Sequence, residues 1–105
     1  NAPTMRAIPF GFLPSQQINQ YATINAMTTH PHPKAVASSI LAARLTEFLL
    51  IKKGKKQDAY NYCKEHLKNI DQEFLEKFEQ VEKLPSPNLL QESDYEVLCG
   101  KQPII

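Results

Sequence analysis

The chain has 105 residues, the size of one small domain, and its 42% hydrophobic and 22% charged residues lie within the globular range. A net charge of +1 gives no electrostatic basis for binding nucleic acid or an anionic membrane surface. The longest apolar stretch, residues 40–51, is interrupted by Arg44 and Glu47 and is too short to span a bilayer. The two cysteines, Cys63 and Cys99, have no partner motif and are expected to be reduced thiols, with a disulfide as the alternative. We therefore expect a soluble, cytoplasmic protein with no nucleic-acid partner and no membrane association.

Prolines mark the first predicted helix. It runs from Thr4 to about Leu13, and Pro3 opens it, because a proline at the first turn loses no helical hydrogen bond. Pro9 is expected to kink this helix and Gly11 to loosen it.

A second helix is predicted from Gln16 to Met27. Ser15 is a good N-cap for it, since a serine hydroxyl can accept a hydrogen bond from the exposed N–H groups of the first turn. The apolar residues at helical spacing are Ile18, Tyr21, Ala22 and Ala26.

The third predicted helix is the most apolar part of the chain. It begins at Pro33 and ends near Lys52, and its apolar residues cover more than one face, which is typical of a helix buried among others. Lys53 suits the negative end of the helix dipole, and Gly54 is expected to adopt the left-handed cap conformation.

Two amphipathic helices are predicted beyond Gly54. The first, Lys55 to Asn69, has an apolar stripe made of Ala59, Tyr60, Cys63, Leu67 and Ile70. The second, Gln72 to Lys83, is expected to bury Phe74, Leu75, Phe78 and Val81.

Asp71 is the predicted N-cap of the second of these helices, with Ile70 and Leu75 as a hydrophobic staple. A short final turn is predicted near residues 93–98. Since no segment shows the alternation typical of a strand, the fold class is all-α, with residues 1–105 as a single helical region.

His30 and His32 precede the apolar helix and are the candidate binding residues. The N-terminal end of a helix carries unsatisfied N–H groups and roughly half a positive charge, so it can hold an anion such as phosphate. Alternatively, the two imidazoles only cap the helix. A zinc site is not expected, because no further ligands lie nearby and His66 belongs to another helix.

Two segments carry a resemblance to a known family. Thr29-His30-Pro31-His32-Pro33, opening an Ala-rich helix, resembles the Thr-His-x-His-Pro segment of the ADP-ribosylglycohydrolases, relatives of the dinitrogenase-reductase-activating glycohydrolase. Asn1-Ala2-Pro3-Thr4-Met5-Arg6-Ala7-Ile8-Pro9-Phe10-Gly11 resembles the Gly-Asn-Gly-x-x-Met-Arg-x-x-Pro-x-Gly signature of that family. The resemblance covers residues 1 to about 50 and implies an orthogonal helical bundle.

The resemblance also implies roles for particular residues. Asn1, His30 and His32 would bind ADP-ribose, with His30 contacting the ligand and His32 shaping the turn. Met5 and Arg6 match the Met-Arg of the signature. A lone methionine is usually a core residue, and we expect Met5 to be one. Arg6 is expected to support the pocket by pairing with a carboxylate or, alternatively, to lie in solvent. Ala2-Pro3 departs from the glycine of the family signature and weakens the expected backbone cradle for the ligand.

The function implied is hydrolysis of the glycosidic bond between ADP-ribose and a protein side chain. Family members use two magnesium ions held by acidic segments, Gly-Asp-x-x-Gly and Asp-x-Asp-Thr, which do not occur in these 105 residues. We therefore expect the central part of a larger ADP-ribosylglycohydrolase domain, inactive as an isolated chain, with no catalytic residue and no metal ligand of its own. The partners would be ADP-ribose or an ADP-ribosylated protein and the remainder of the parent polypeptide.

Two other functions remain open at this point. One is a non-catalytic member of the same fold that binds ADP-ribose or is purely structural, as in the lens crystallins that resemble this family. The other is a stand-alone helical interaction domain.

Overall fold

A computed structural model describes residues 2–84, with side chains from Pro3 onward, and the statements below concern this part of the chain. Its regular elements are all helical, without a strand in residues 2–84, which confirms the all-α class. The helices are α1 (Ala2–Ala7), α2 (Ser15–Thr29), α3 (Pro33–Thr46), α4 (Lys56–Leu67) and α5 (Gln72–Glu82). A 3₁₀ turn (Ile8–Phe12) follows α1 and a π turn (Glu47–Ile51) follows α3. The final turn predicted near residues 93–98, and Cys99, lie outside the described residues.

Helix α3 is the centre of the fold, as its apolar sequence predicts. α1, the 3₁₀ turn, α2 and α4 all pack against it. Several positions at these interfaces are alanines, which allow the helix backbones to approach closely. The buried apolar residues are Ala7, Ile18, Ala22, Ala26, Val36, Ala37, Ile40, Ala43, Ala59, Cys63 and Leu67.

The start of α2 differs from the sequence prediction. Pro14 is the N-cap and makes no side-chain cap bond, whereas Ser15 is the first helical residue. The Ser15 hydroxyl instead accepts a hydrogen bond from Arg44 of α3, 2.9 Å away.

Tyr21, expected on the buried face of α2, is 44% exposed. Sequence spacing places it near the core-facing residues, but the face covered by α3 is narrower than the apolar pattern.

The end of the third helix is also different. Lys53, and not Gly54, takes the left-handed conformation, with φ of 53°. Gly54 is needed for another reason: a Cβ atom there would overlap the ring of Phe48, which lies against it. The backbone N–H of Gly54 donates to the carbonyl oxygen of Phe48 at 2.8 Å, so the chain folds back closely over that ring.

The last two helices follow the prediction in position and partly in burial. Asp71 caps α5, and its carboxylate accepts a hydrogen bond from the backbone N–H of Phe74 at 2.9 Å, as predicted. Ile70 and Leu75 both pack against the core. The residues expected to be buried on α5 are only half-buried, because α5 packs mainly against α4, at the edge of the bundle.

Nine large apolar side chains are exposed in the described part of the chain. Six lie on α1, the 3₁₀ turn and α2, and three on the π turn: Met5, Ile8, Phe12, Tyr21, Ile24, Met27, Leu49, Leu50 and Ile51. Among residues 2–84, no helix has both the length and the apolar character required to cross a membrane.

Candidate functional site

The two candidate histidines lie at the junction of α2 and α3, and both are exposed. The backbone N–H of His30 closes the last turn of α2 by donating to the carbonyl oxygen of Ala26 at 2.7 Å. His32 donates its backbone N–H to the carbonyl of His30, also at 2.7 Å. The junction is therefore a tight, hydrogen-bonded turn.

His32 is the N-cap of α3. Its backbone is extended, and its Nδ1 accepts a hydrogen bond from the backbone N–H of Lys34 at 3.1 Å. An accepting Nδ1 leaves the ring hydrogen of a neutral imidazole on Nε2. Imidazole thus does here what a serine or aspartate side chain usually does at a helix start.

Most N–H groups of the first turn of α3 already have partners. Pro33 has none to offer, Lys34 donates to the His32 ring, and Val36 donates to the His32 carbonyl at 3.1 Å. Ala35 is the remaining donor of this turn. An anion at this helix end would therefore be held mainly by side chains and less by the backbone than the sequence suggested.

The imidazole of His30 is not a cap of α3. Its Nδ1 lies 3.0 Å from the hydroxyl oxygen of Thr29, the last residue of α2. Because the ring is exposed, a ligand at the surface can reach it.

Arg6 of α1 supports this turn. Its Nε donates to the side-chain oxygen of Asn25 at 3.0 Å, and its guanidinium also donates to the hydroxyl oxygen of Thr29 at 2.7 Å. The side-chain partners of Arg6 are therefore an amide and a hydroxyl, and not the carboxylate that the sequence suggested. The support of a ligand pocket by Arg6 stays a prediction.

Asn25 connects Arg6 to the core, and the sequence analysis missed it. Its side-chain nitrogen donates to the carbonyl oxygen of Pro3 at 2.8 Å and to the hydroxyl of Ser39 at 3.1 Å. Ser39 is fully buried and donates to the carbonyl of Ala22 at 2.8 Å. The available signal was the spacing of Asn25 and Thr29, which places two polar residues four apart on one face of α2.

Met5 is not a core residue, although the sequence predicted that it would fill the core. Its side chain is 70% exposed, whereas Pro3 and Ala7 on the same helix are buried. These two residues are four apart and take the one face of a short helix that can contact α3. Asn1 lies outside the described residues.

A second polar cluster is buried between α2, α3 and α4. Arg44 and Glu47 form an ion pair at 2.8 Å, with side chains 5% and 4% exposed. Arg44 also donates to the side chain of Asn19 at 2.8 Å and to the carbonyl of Ser15 at 3.0 Å. The Tyr62 hydroxyl of α4 donates to the Glu47 carboxylate.

Both acidic groups of this cluster titrate away from their ordinary values. Burial favours protonation of Glu47, but the hydrogen bonds from Tyr62 and Arg44 outweigh it and lower its pKa. Burial, with the adjacent Glu47 carboxylate, raises the pKa of Tyr62. The ring of Tyr62 stacks on Phe48 with centroids 4.7 Å apart, which adds an aromatic contact beside the buried ion pair.

His66 is also part of the surroundings of this cluster. The sequence placed it on a separate amphipathic helix, outside the predicted apolar stripe, but it is half-buried with its ring centroid 5.1 Å from that of Tyr62. Burial lowers its pKa, and the Arg44 charge acts in the same direction. Cys63, one residue after Tyr62, is fully buried, and burial raises the pKa of its thiol to about 11.

No group of three or more histidine, cysteine or carboxylate side chains within residues 2–84 has the arrangement to hold a metal ion. An open cavity of about 200 Å³ lies elsewhere, between α3, α4 and α5. Its lining is mostly apolar and is formed by Leu45, Leu49, Lys56, Ala59, Tyr60 and Phe78. It includes none of the candidate ligand residues, and the described candidate site is therefore the turn at His30.

Comparison with protein families gives one informative result. The family model described as ADP-ribosylglycohydrolase matches residues 1–101 of this chain. The matched range contains α1, the His30 turn and all the helices described above. No curated protein and no solved structure gives a match.

Proposed function

The chain belongs to the ADP-ribosylglycohydrolase family, and on this basis we propose that it forms part of a hydrolase that removes ADP-ribose from modified protein side chains. The observation that carries this proposal is the family match over residues 1–101. The position of His30 supports it, because this turn presents an exposed imidazole next to a threonine that Arg6 of α1 holds in place.

The proposed role of this region is to bind and orient ADP-ribose. His30 and His32 would donate hydrogen bonds to oxygen atoms of the ligand, and Asn1 is proposed to contribute from the adjoining segment. Charge-assisted hydrogen bonds to phosphate are stronger than neutral ones, so a few such contacts would hold the diphosphate.

Magnesium is proposed as the cofactor of the complete protein, where it would polarise the sugar or activate water. The carboxylates of residues 2–84 do not form a ligand set for it. The acidic segments by which family members hold magnesium do not occur in the 105-residue sequence, so we propose that the metal ligands come from polypeptide outside this chain. The residues at the His30 turn would bind and orient the ligand.

Replacing His30 by alanine is expected to weaken ADP-ribose binding to the complete protein by about 1–3 kcal/mol, because one hydrogen bond to a charged group is lost. Isothermal titration calorimetry measures this change. Gln20→Ala on α2 is the control, since Gln20 is exposed and lies ten residues before His30. His32→Asn retains a good N-cap and separates capping of α3 from ligand contact.

Equal affinity of wild type and His30→Ala, together with a lower melting temperature of the variant, would contradict the ligand role and make His30 a structural residue. Turnover of an ADP-ribosylated peptide distinguishes a hydrolase from a non-catalytic relative. Binding of ADP-ribose without turnover would favour the binding or structural alternative over the enzyme.

We also propose that further polypeptide of the same protein covers the apolar side chains exposed on α1 and α2. Residues 1–105 prepared alone should then self-associate or melt without a sharp transition, because exposed apolar patches promote association. Analytical ultracentrifugation with thermal melting measures both properties. A compact monomer with a sharp, cooperative transition would contradict this proposal.

A further inference from the structure

We propose that Arg6 is a positioning residue for His30 and acts through the hydroxyl group of Thr29, so that His30 presents an Nε2–H donor to an oxygen atom of the ligand. This inference rests on the proposed function, in which the ligand is ADP-ribose. It assigns a task to two side chains that are themselves not proposed to contact the ligand.

The argument begins with the hydrogen of the Thr29 hydroxyl group. A guanidinium group can only donate, so the Thr29 oxygen must be the acceptor in its 2.7 Å contact with Arg6. Thr23 and Thr28, elsewhere on α2, donate their hydroxyl hydrogens to carbonyl oxygens four residues back, each at 2.7 Å. The Thr29 hydroxyl differs, since its described partners are Arg6 and His30.

Of the two described partners of the Thr29 hydroxyl, only Nδ1 of His30, 3.0 Å away, can accept a hydrogen, and we infer that the hydroxyl hydrogen is directed there. An Nδ1 that accepts a hydrogen bond places the ring hydrogen of neutral imidazole on Nε2. Nε2 lies on the far side of the ring from Thr29. His30 is then a hydrogen-bond donor, suited to a phosphate or ribose oxygen of the ligand.

The hydrogen-bond relay formed by Arg6, Thr29 and His30 is attached to the protein core. Arg6 is held by Asn25 through its Nε, and Asn25 is held by the carbonyl of Pro3 and the buried hydroxyl of Ser39. The direction of the hydrogen bonds from Arg6 to the core is fixed, because the side-chain oxygen of Asn25 accepts from Arg6 and its side-chain nitrogen donates to Ser39. α1 therefore orients His30 although Arg6 lies 24 residues earlier in the sequence.

The ring nitrogens of His30, observed by long-range ¹H–¹⁵N NMR without ligand, test the tautomer directly. Wild type and Thr29→Ser should show the Nε2–H form, whereas Thr29→Val should add the Nδ1–H form. Arg6→Lys should act in the same direction as Thr29→Val, since lysine lacks the fork that contacts Asn25 and Thr29 together. Thr28→Val is the matched control, because its hydroxyl contacts Ile24 and not His30.

Calorimetry of the complete protein tests the consequence for binding. Thr29→Val should weaken ADP-ribose binding by about 3- to 10-fold, the effect of one misdirected hydrogen bond, and Thr29→Ser should restore it to within about twofold. Comparison with ADP identifies the acceptor. A loss that persists with ADP points to the diphosphate, and a loss seen only with ADP-ribose points to the distal ribose.

Two results would overturn the inference, and they differ in what else they overturn. If His30→Ala weakens binding but Thr29→Val changes neither the ring nitrogens nor the affinity, the relay is wrong and the proposed function stands. If His30→Ala leaves ADP-ribose binding unchanged, the ligand role of His30 is wrong as well.

Discussion

Replacing Glu47 by alanine is expected to lower the free energy of unfolding by about 3–5 kcal/mol, because it leaves the buried guanidinium of Arg44 without its charge partner. Both side chains are at most 5% exposed, so water cannot replace the lost carboxylate without opening the contact between α2, α3 and α4. Tyr62 also loses the acceptor of its hydroxyl group. Urea denaturation followed by circular dichroism measures the change.

Glu65→Ala is the matched control for this experiment. Glu65 also pairs with a cation three residues away, Lys68, but their side chains are 68% and 58% exposed. An exposed pair contributes about 0–1 kcal/mol, so the control should lose far less stability. Similar losses for Glu47→Ala and Glu65→Ala would show that burial of the Arg44 ion pair is not what stabilises this region.

The same pair predicts the direction of the acid dependence. The folded-state pKa of Glu47 lies below its ordinary value of 4.5, so the carboxylate contributes stability at pH values above about 4.5. That contribution should be lost as the pH falls through the lower, folded-state value. The Glu47→Gln variant should lack this part of the acid transition.

Gly11→Ala is expected to destabilise the fold by about 2–3 kcal/mol, at the upper end of the usual effect of an overpacked contact. A Cβ atom at Gly11 would lie 2.6 Å from Cβ of Thr46 and 2.7 Å from the carbonyl oxygen of Ala43. The first atom is attached directly to the backbone of α3 and the second belongs to it, so neither can rotate away. Thermal and urea unfolding measure the loss.

A double-mutant cycle shows whether the cause is this contact. Thr46→Ser removes the methyl group that would lie 2.7 Å from the new Cβ, and it should recover part of the loss in the Gly11→Ala background. Strictly additive effects of the two substitutions would argue that the 3₁₀ turn is strained in some other way.

Local patterns allowed most of the helices to be predicted. Asp71 caps α5 as predicted, because its partner is the backbone three residues ahead and the interaction is contained in the sequence itself. Pro33 starts the most buried helix for the same kind of reason. Ser15 and Gly54 have the residue types of helix ends, yet their actual partners, Arg44 and Phe48, follow from tertiary packing that spacing does not reveal.

For the candidate site, too, the sequence predicted the local features and missed the tertiary contacts. The motif at residues 29–33 identified the turn, and the capping role of His32 was one of the two interpretations kept open. Asn25 and Thr29 were not identified, since each depends on Arg6 approaching from α1, about 20 residues earlier in the chain. Met5 was wrongly assigned to the core because a short helix offers only one face to α3, and its phase cannot be read from six residues.

The π turn at the end of α3 shifts the register of the helix, that is, which residues face the core. The N–H of Lys52 bonds the carbonyl of Glu47 five residues back, so this turn holds one residue more than an α-helical turn. In an uninterrupted α-helix Ile51 would lie directly after the buried Glu47 on the inner face, but it is 50% exposed. One extra residue, equivalent to a rotation of about 100°, thus converts a core position of the α-helical register into a surface position.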